Sequence, residues 1–106
     1  MTDSTNALTP EEEEVRAELA RQDARWGEQN HPDGTGHPGD DRRANEARQM
    51  TQSMADLGDV SWRDILYEEV LEAFAETDPY KLLDELTQVE AVARQWRLAI
   101  RRRLAE

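Results

Sequence analysis

The chain has 106 residues, 37% of them hydrophobic and 35% charged, enough for one small domain but with little apolar material to build its core. A net charge of -11 excludes an extended nucleic-acid surface, which needs many Lys and Arg contacts to phosphate, and the absence of cysteine excludes disulfides and thiolate zinc sites. The twelve arginines and the single lysine, Lys81, read as composition bias.

The N-terminus MTDSTNALTPEEEE lacks the basic and apolar regions of a signal peptide, and no run of about 18 apolar residues occurs, so a cytoplasmic protein that does not engage a membrane is expected. Residues 1–8 are polar and are expected to form a frayed tail, with a helical domain over residues 9–106. Thr9-Pro10-Glu11-Glu12 predicts a helix start, with Thr9 as N-cap, Pro10 at the first helical position and Glu12 closing a capping box. Val15, Leu19 and Trp26 continue at helical spacing, so the first helix is expected from about Pro10 to Glu28.

GEQNHPDGTGHPGDD carries four glycines and two prolines and predicts an irregular loop over residues 27–40, of the length usually reserved for function. Its glycines permit close backbone approach to a phosphate or closure over a substrate. His31 and His37 in this loop match no metal-ligand spacing and are expected to face solvent. A second helix is predicted from about Asp41 to Leu57, with Ala44, Ala47, Met50 and Met54 on one face and Gly58 just past its end.

Val60-Ser61-Trp62-Arg63-Asp64-Ile65 predicts a third helix start, with Ser61 as N-cap, Asp64 closing a shorter box, and Val60 with Ile65 as a staple. This helix should end near Glu76. Asp78-Pro79 restarts the chain, and a fourth helix is predicted from about Pro79 to Arg103. No alternating strand pattern occurs, so the expected fold is all-α, a four-helix bundle whose thin core is completed by oligomerisation.

The third helix carries its charge unusually. At about 100° per residue, Glu68, Glu69, Glu72 and Glu76 fall within an arc of roughly 100°, and apolar residues cover most of the remaining surface. No lysine or arginine stands among them on that helix, and like charges at this spacing repel by a few tenths of a kcal/mol per pair. A short hinge at Thr77-Asp78 folds the fourth helix back, bringing Glu85 and Gln88 opposite Glu68, Glu69 and Glu72. Oxygen donors with no basic partner point to a hard divalent cation, Mg²⁺ first and Mn²⁺ second, completed by the phosphates of a substrate.

EEVLE, twelve residues, then ELTQ resembles the EExxE…ExxD signature of the MazG-like all-α nucleoside triphosphate pyrophosphohydrolases. RWGEQNHPDGTG, SWRDILYEEVLEAFAE and ELTQVEAVARQW are similar to a small single-domain phage and actinobacterial-type branch of that family, over about residues 19–103. The resemblance implies a Mg²⁺-dependent hydrolase that converts (deoxy)nucleoside triphosphates to monophosphate and pyrophosphate, and the thin core of one protomer adds the expectation of a homodimer or homotetramer. It puts the metal ligands on Glu68, Glu69, Glu72 and Glu85, with Glu68 or Glu69 orienting the attacking water. The family's fourth-helix aspartate falls on Gln88, which offers a neutral carbonyl oxygen in place of a charge.

Trp26 suits either a core position or a place where it stacks on a nucleobase, with Gln22, Gln29 and Asn30 for the base's polar edge, while Trp62 and Trp96 belong to core stripes. Lys81, Arg97 and Arg101 are the candidates for phosphate contact, in the same or a neighbouring subunit, although cations near a helix C-terminus are favoured there in any case. The alternative from a different class is a non-catalytic module, which either binds nucleotide without hydrolysing it or uses the acidic face for interaction. Gln88 is the residue that keeps this alternative open, and metal-dependent stabilisation and turnover separate the readings.

Overall fold

The structure is a computed structural model that describes residues 7–106, so most of the expected N-terminal tail, residues 1–6, lies outside the described residues. Among the described residues four helices follow one another: α1 (Pro10–Trp26), α2 (Asp40–Asp56), α3 (Trp62–Ala75) and α4 (Pro79–Leu104). No strand occurs among the described residues, and the all-α expectation holds. Among the same residues no helix is long and apolar enough to cross a membrane. The chain divides into two compact units, residues 1–32 and 33–106.

In the first unit, Thr9 caps α1 as the sequence indicates. Its hydroxyl accepts from the Glu12 backbone N–H at 3.2 Å while the Glu12 carboxylate accepts from the Thr9 N–H at 3.4 Å, and Pro10 occupies the first turn. The helix ends two residues earlier than expected, because Gly27 adopts a positive φ of 66° and its N–H closes back on the Asp23 carbonyl at 2.8 Å.

In the second unit, α3 is central and packs against both α2 and α4. The turn from α2 to α3 is a Schellman closure. Gly58, at φ 71°, donates to the Ala55 carbonyl at 2.9 Å and Asp59 donates to the Met54 carbonyl at 2.8 Å. Ser61 and Asp64 then form the expected capping box, each backbone N–H donating to the other's side chain at 3.1 Å. The Thr51 hydroxyl donates to the Asp64 carbonyl at 3.2 Å, tying α2 to the first turn of α3.

The hinge between α3 and α4 is built from acids. Glu76 terminates α3 in an extended conformation, and its carboxylate accepts from the Asp78 N–H at 3.0 Å. Asp78 in turn caps α4, accepting from the Tyr80 N–H at 3.0 Å, with Pro79 at the first helical position.

The Gly/Pro-rich loop is anchored where it enters the second unit. Gly36 donates its N–H to the Phe74 carbonyl at 2.8 Å, satisfying one of the last carbonyls of α3 that no helical N–H can reach. A glycine is required there: φ is 79°, and a Cβ would collide with the Thr77 methyl. Beyond it, Asp40 accepts from the His37 N–H at 2.7 Å and from Arg43 at 3.0 Å, which fixes the entry into α2. His31 and His37 are both exposed, as expected.

The core is thin. Ala44, Ala47, Ala73 and Leu82 are its buried apolar residues among those described. Ala44 and Ala47 confirm the expected face of α2, but Met50 further along that face is exposed. Trp62 and Trp96 are half-buried on the stripes assigned to them.

Candidate metal and substrate site

The antiparallel return of α4 against α3 brings together carboxylates distant in sequence. One oxygen from each of Glu69, Glu72 and Glu85 lies within 4.8 Å of the other two, and all three residues are half-buried. Glu69 and Glu72 stand one turn apart on α3, and Glu85 faces them from the second turn of α4. Glu69 Oε2 and Glu85 Oε2 are buried and have no hydrogen-bond partner. Unpaired carboxylate oxygens removed from water are costly, and an oxygen-seeking cation relieves that cost.

The electrostatics of the group agree. Burial, then the charges of Glu72, Glu68 and Glu85, push the Glu69 carboxyl above the usual glutamate range. Glu85 is raised by burial first and then by the Glu72 charge, aided by a close approach to the Glu72 carboxylate that becomes a hydrogen bond only when one of the pair holds a proton. Glu68 is raised by burial and by Glu72, with Arg48 acting in the opposite direction. Glu68 thus shares the field of the cluster while standing outside its three converging oxygens.

Arg48 is the residue that the sequence did not reveal. From α2 its Nη2 and Nε reach Glu72 Oε1 at 3.2 and 3.3 Å, and its Nη1 donates to Asn45 Oδ1 at 2.7 Å. The expectation of an acidic stripe without a basic partner is therefore corrected: the partner comes from the neighbouring helix. Arg48 lies one turn from both Ala44 and Thr51, on the border of the α2 face that meets α3. A lone cation at the edge of an apolar stripe was the available signal, but its partner depends on the α2–α3 register. Beside this pair opens a polar cleft of about 450 Å³ between Asp41, Asn45 and Arg48 on α2, Glu72 on α3, Glu76 in the hinge and Glu85 on α4.

Other expected positions lie elsewhere. Gln88 is exposed on α4, three residues beyond Glu85, and the meeting of Glu69, Glu72 and Glu85 is complete without it. Lys81 is exposed one turn before Glu85. Arg97 is half-buried and Arg101 exposed, roughly 18 and 24 Å along the helix from Glu85 at about 1.5 Å per residue, beyond side-chain reach within one protomer.

In the first unit, Gln22, Trp26 and Gln29 line one depression of about 430 Å³ together with Glu18, Arg21 and Arg25. Trp26 is 60% exposed rather than core, and the Arg25 guanidinium lies 4.7 Å from its ring centroid. The polar candidates already have local partners: Gln22 donates to Glu18 at 3.1 Å, Asn30 donates to Glu28 at 2.7 Å, and Gln29 meets the His31 ring at 3.1 Å.

Comparison of this chain with protein-family models, curated proteins and solved structures finds no match in any of the three. The functional reading therefore rests on the residues and their arrangement.

Proposed function

We propose that the protein is a Mg²⁺-dependent nucleoside triphosphate pyrophosphohydrolase of MazG-like type, cleaving its substrate to a monophosphate and pyrophosphate. The observation that carries this reading is the convergence of Glu69, Glu72 and Glu85 from two helices, with buried and unpartnered oxygens on Glu69 and Glu85. Those glutamates are three of the four acidic ligand positions that the EEVLE…ELTQ resemblance implies.

The donor set fits a hard cation: every donor is a carboxylate oxygen, and an open polar cleft adjoins the cluster. Glu69, Glu72 and Glu85 would hold the ion, which supplies Lewis-acid polarisation of phosphoryl oxygens. Glu68, half-buried beside them with a raised pKa, is a stronger base than an exposed carboxylate and is suited to take the proton of an attacking water. Glu76 accepts from the Asp78 N–H and so braces the hinge that returns α4, with Glu85, to α3.

Assembly as a homodimer or homotetramer belongs to the same reading. Phe74 and Leu83 are 53% and 63% exposed, and Tyr80 is 80% exposed, all on helices of the second unit. Packing them against another copy enlarges a core that is otherwise mostly alanine.

Product analysis tests the reaction class. Anion-exchange separation after incubation with Mg²⁺ should show monophosphate and pyrophosphate from a nucleoside triphosphate. Diphosphate and orthophosphate would place the cleavage at the wrong bond and end the assignment. Nucleotide that binds with Mg²⁺ but stays intact would instead mark a sequestering module, the outcome to which the neutral Gln88 would contribute.

A further inference from the structure

We propose that Arg48 is a phosphate-positioning residue, held on Glu72 in the ion-free protein and released to phosphoryl oxygens of the substrate when a divalent cation takes over the Glu72 carboxylate. The assignment rests on the metal-site reading above and adds a residue that the glutamate motif does not contain.

Three observations support it. First, among the described residues Arg48 is the one cation bordering a cleft whose other charged borders are Asp41, Glu72, Glu76 and Glu85. A polyphosphate entering that cleft meets repulsion everywhere except at this guanidinium and at a bound cation. Second, the grip on Glu72 is loose. Nε and Nη2 share the single oxygen Oε1 at 3.3 and 3.2 Å, whereas a committed arginine–carboxylate fork uses two oxygens at about 2.7–2.9 Å. Third, the Arg48 side chain is 55% exposed while that of Glu72 is 20% exposed, so the guanidinium can turn into the cleft while the carboxylate stays in place.

Asn45 gives the motion a pivot. Its Oδ1 holds Nη1 at 2.7 Å and leaves the opposite edge of the guanidinium to exchange one anion for another. With a cation held on Glu72 the attraction that keeps Arg48 there would fall, and a phosphate would offer a pair of oxygens that the guanidinium can hold bidentately. The competing role is purely structural, an ion pair that fastens α2 to α3.

Binding of Mn²⁺ alone, and then of inorganic pyrophosphate in the presence of Mn²⁺, separates these roles by calorimetry on the full chain. Pyrophosphate carries the phosphate chemistry without a base. For Arg48→Ala the expected result is Mn²⁺ affinity equal to or tighter than wild type, with pyrophosphate affinity weakened about tenfold or more. Arg48→Lys keeps a charge for Glu72 but loses the planar fork, so it should bind pyrophosphate between the two. Unchanged pyrophosphate affinity in Arg48→Ala, or loss of Mn²⁺ binding in a folded variant, overturns the assignment and leaves Arg48 structural. A wild-type protein that binds no Mn²⁺ overturns the metal-site reading itself, a failure distinct from that of Arg48.

Discussion

Glu85, on the second turn of α4, meets Glu69 of α3 closely enough for one carboxylate oxygen of each to share a cluster with Glu72, all within 4.8 Å. Two residues sixteen apart in sequence thus add a desolvation cost to the folded state. Their buried, unpartnered oxygens make the ion-free protein less stable than its helices allow.

Neutralising one member should therefore stabilise the ion-free fold while destroying its function. Glu69→Gln is expected to raise the melting temperature without Mg²⁺ by roughly 2–4 °C, for a change near 0.5 kcal/mol in so small a chain. The same variant should lose most of the Mg²⁺-induced rise seen in wild type. Differential scanning calorimetry with and without Mg²⁺ checks both. A variant that melts lower without the ion and still responds to it would remove Glu69 from the site.

The raised pKa values of Glu68, Glu69 and Glu85 fix the sign of a pH effect. In the window above the ordinary glutamate value of 4.5, the folded chain binds more protons than the unfolded chain, so these groups make stability fall as pH rises. Without divalent cation, denaturant midpoints should increase as pH is lowered from 7 toward 5. Saturating Mg²⁺ should flatten or reverse that slope, because protons and cation compete for the same oxygens. An ion-free midpoint that falls over this range would contradict the burial of these carboxylates.

Gly36 and Gly34 make a matched pair. Both have positive φ, 79° and 69°, but a Cβ at Gly36 meets Thr77 while one at Gly34 meets nothing within 4 Å. Gly34→Ala should cost about 1 kcal/mol for its backbone conformation, and Gly36→Ala about 1–2 kcal/mol more for the lost seat against α3. Urea denaturation measures the difference. Equal costs would mean that the loop does not depend on its contact with the Phe74 carbonyl.

On α4, Glu85→Ala is expected to abolish the Mg²⁺-induced stabilisation, whereas Gln88→Ala should reduce it less than threefold in apparent affinity, because Gln88 is exposed and contributes no charge. Mn²⁺ titration followed by electron paramagnetic resonance ranks the two. Equal losses would put Gln88 among the ligands.

Local chemistry made much of this fold legible. The boxes at Thr9–Glu12 and Ser61–Asp64, the closure at Gly58 and the Asp78-Pro79 restart are written in adjacent residues, and each helix begins within one residue of its expected position. The Glu68–Glu69–Glu72 arc follows from helical periodicity, and Glu85 joins it because the short connection of residues 76–78 between α3 and α4 folds α4 back.

The Arg48–Glu72 pair and the Gly36 contact with α3 were not legible for a shared reason. Each joins segments far apart in sequence, whose relative register depends on tertiary packing rather than on neighbouring residues. Periodicity names a face, but it does not say which residue of the next helix that face meets. Trp26 shows the converse: helical spacing alone suits a core position as well as an exposed one, and this ring is exposed.

The most direct measurement is pyrophosphate release from a panel of nucleoside and deoxynucleoside triphosphates, with Mg²⁺, with Mn²⁺ and with chelator, for wild type beside Glu69→Gln. The expected result is turnover of at least one triphosphate that requires the cation and falls at least a hundredfold in the variant. Turnover that survives both chelation and Glu69→Gln, or none with any triphosphate under either cation, would contradict a pyrophosphohydrolase built on Glu69, Glu72 and Glu85.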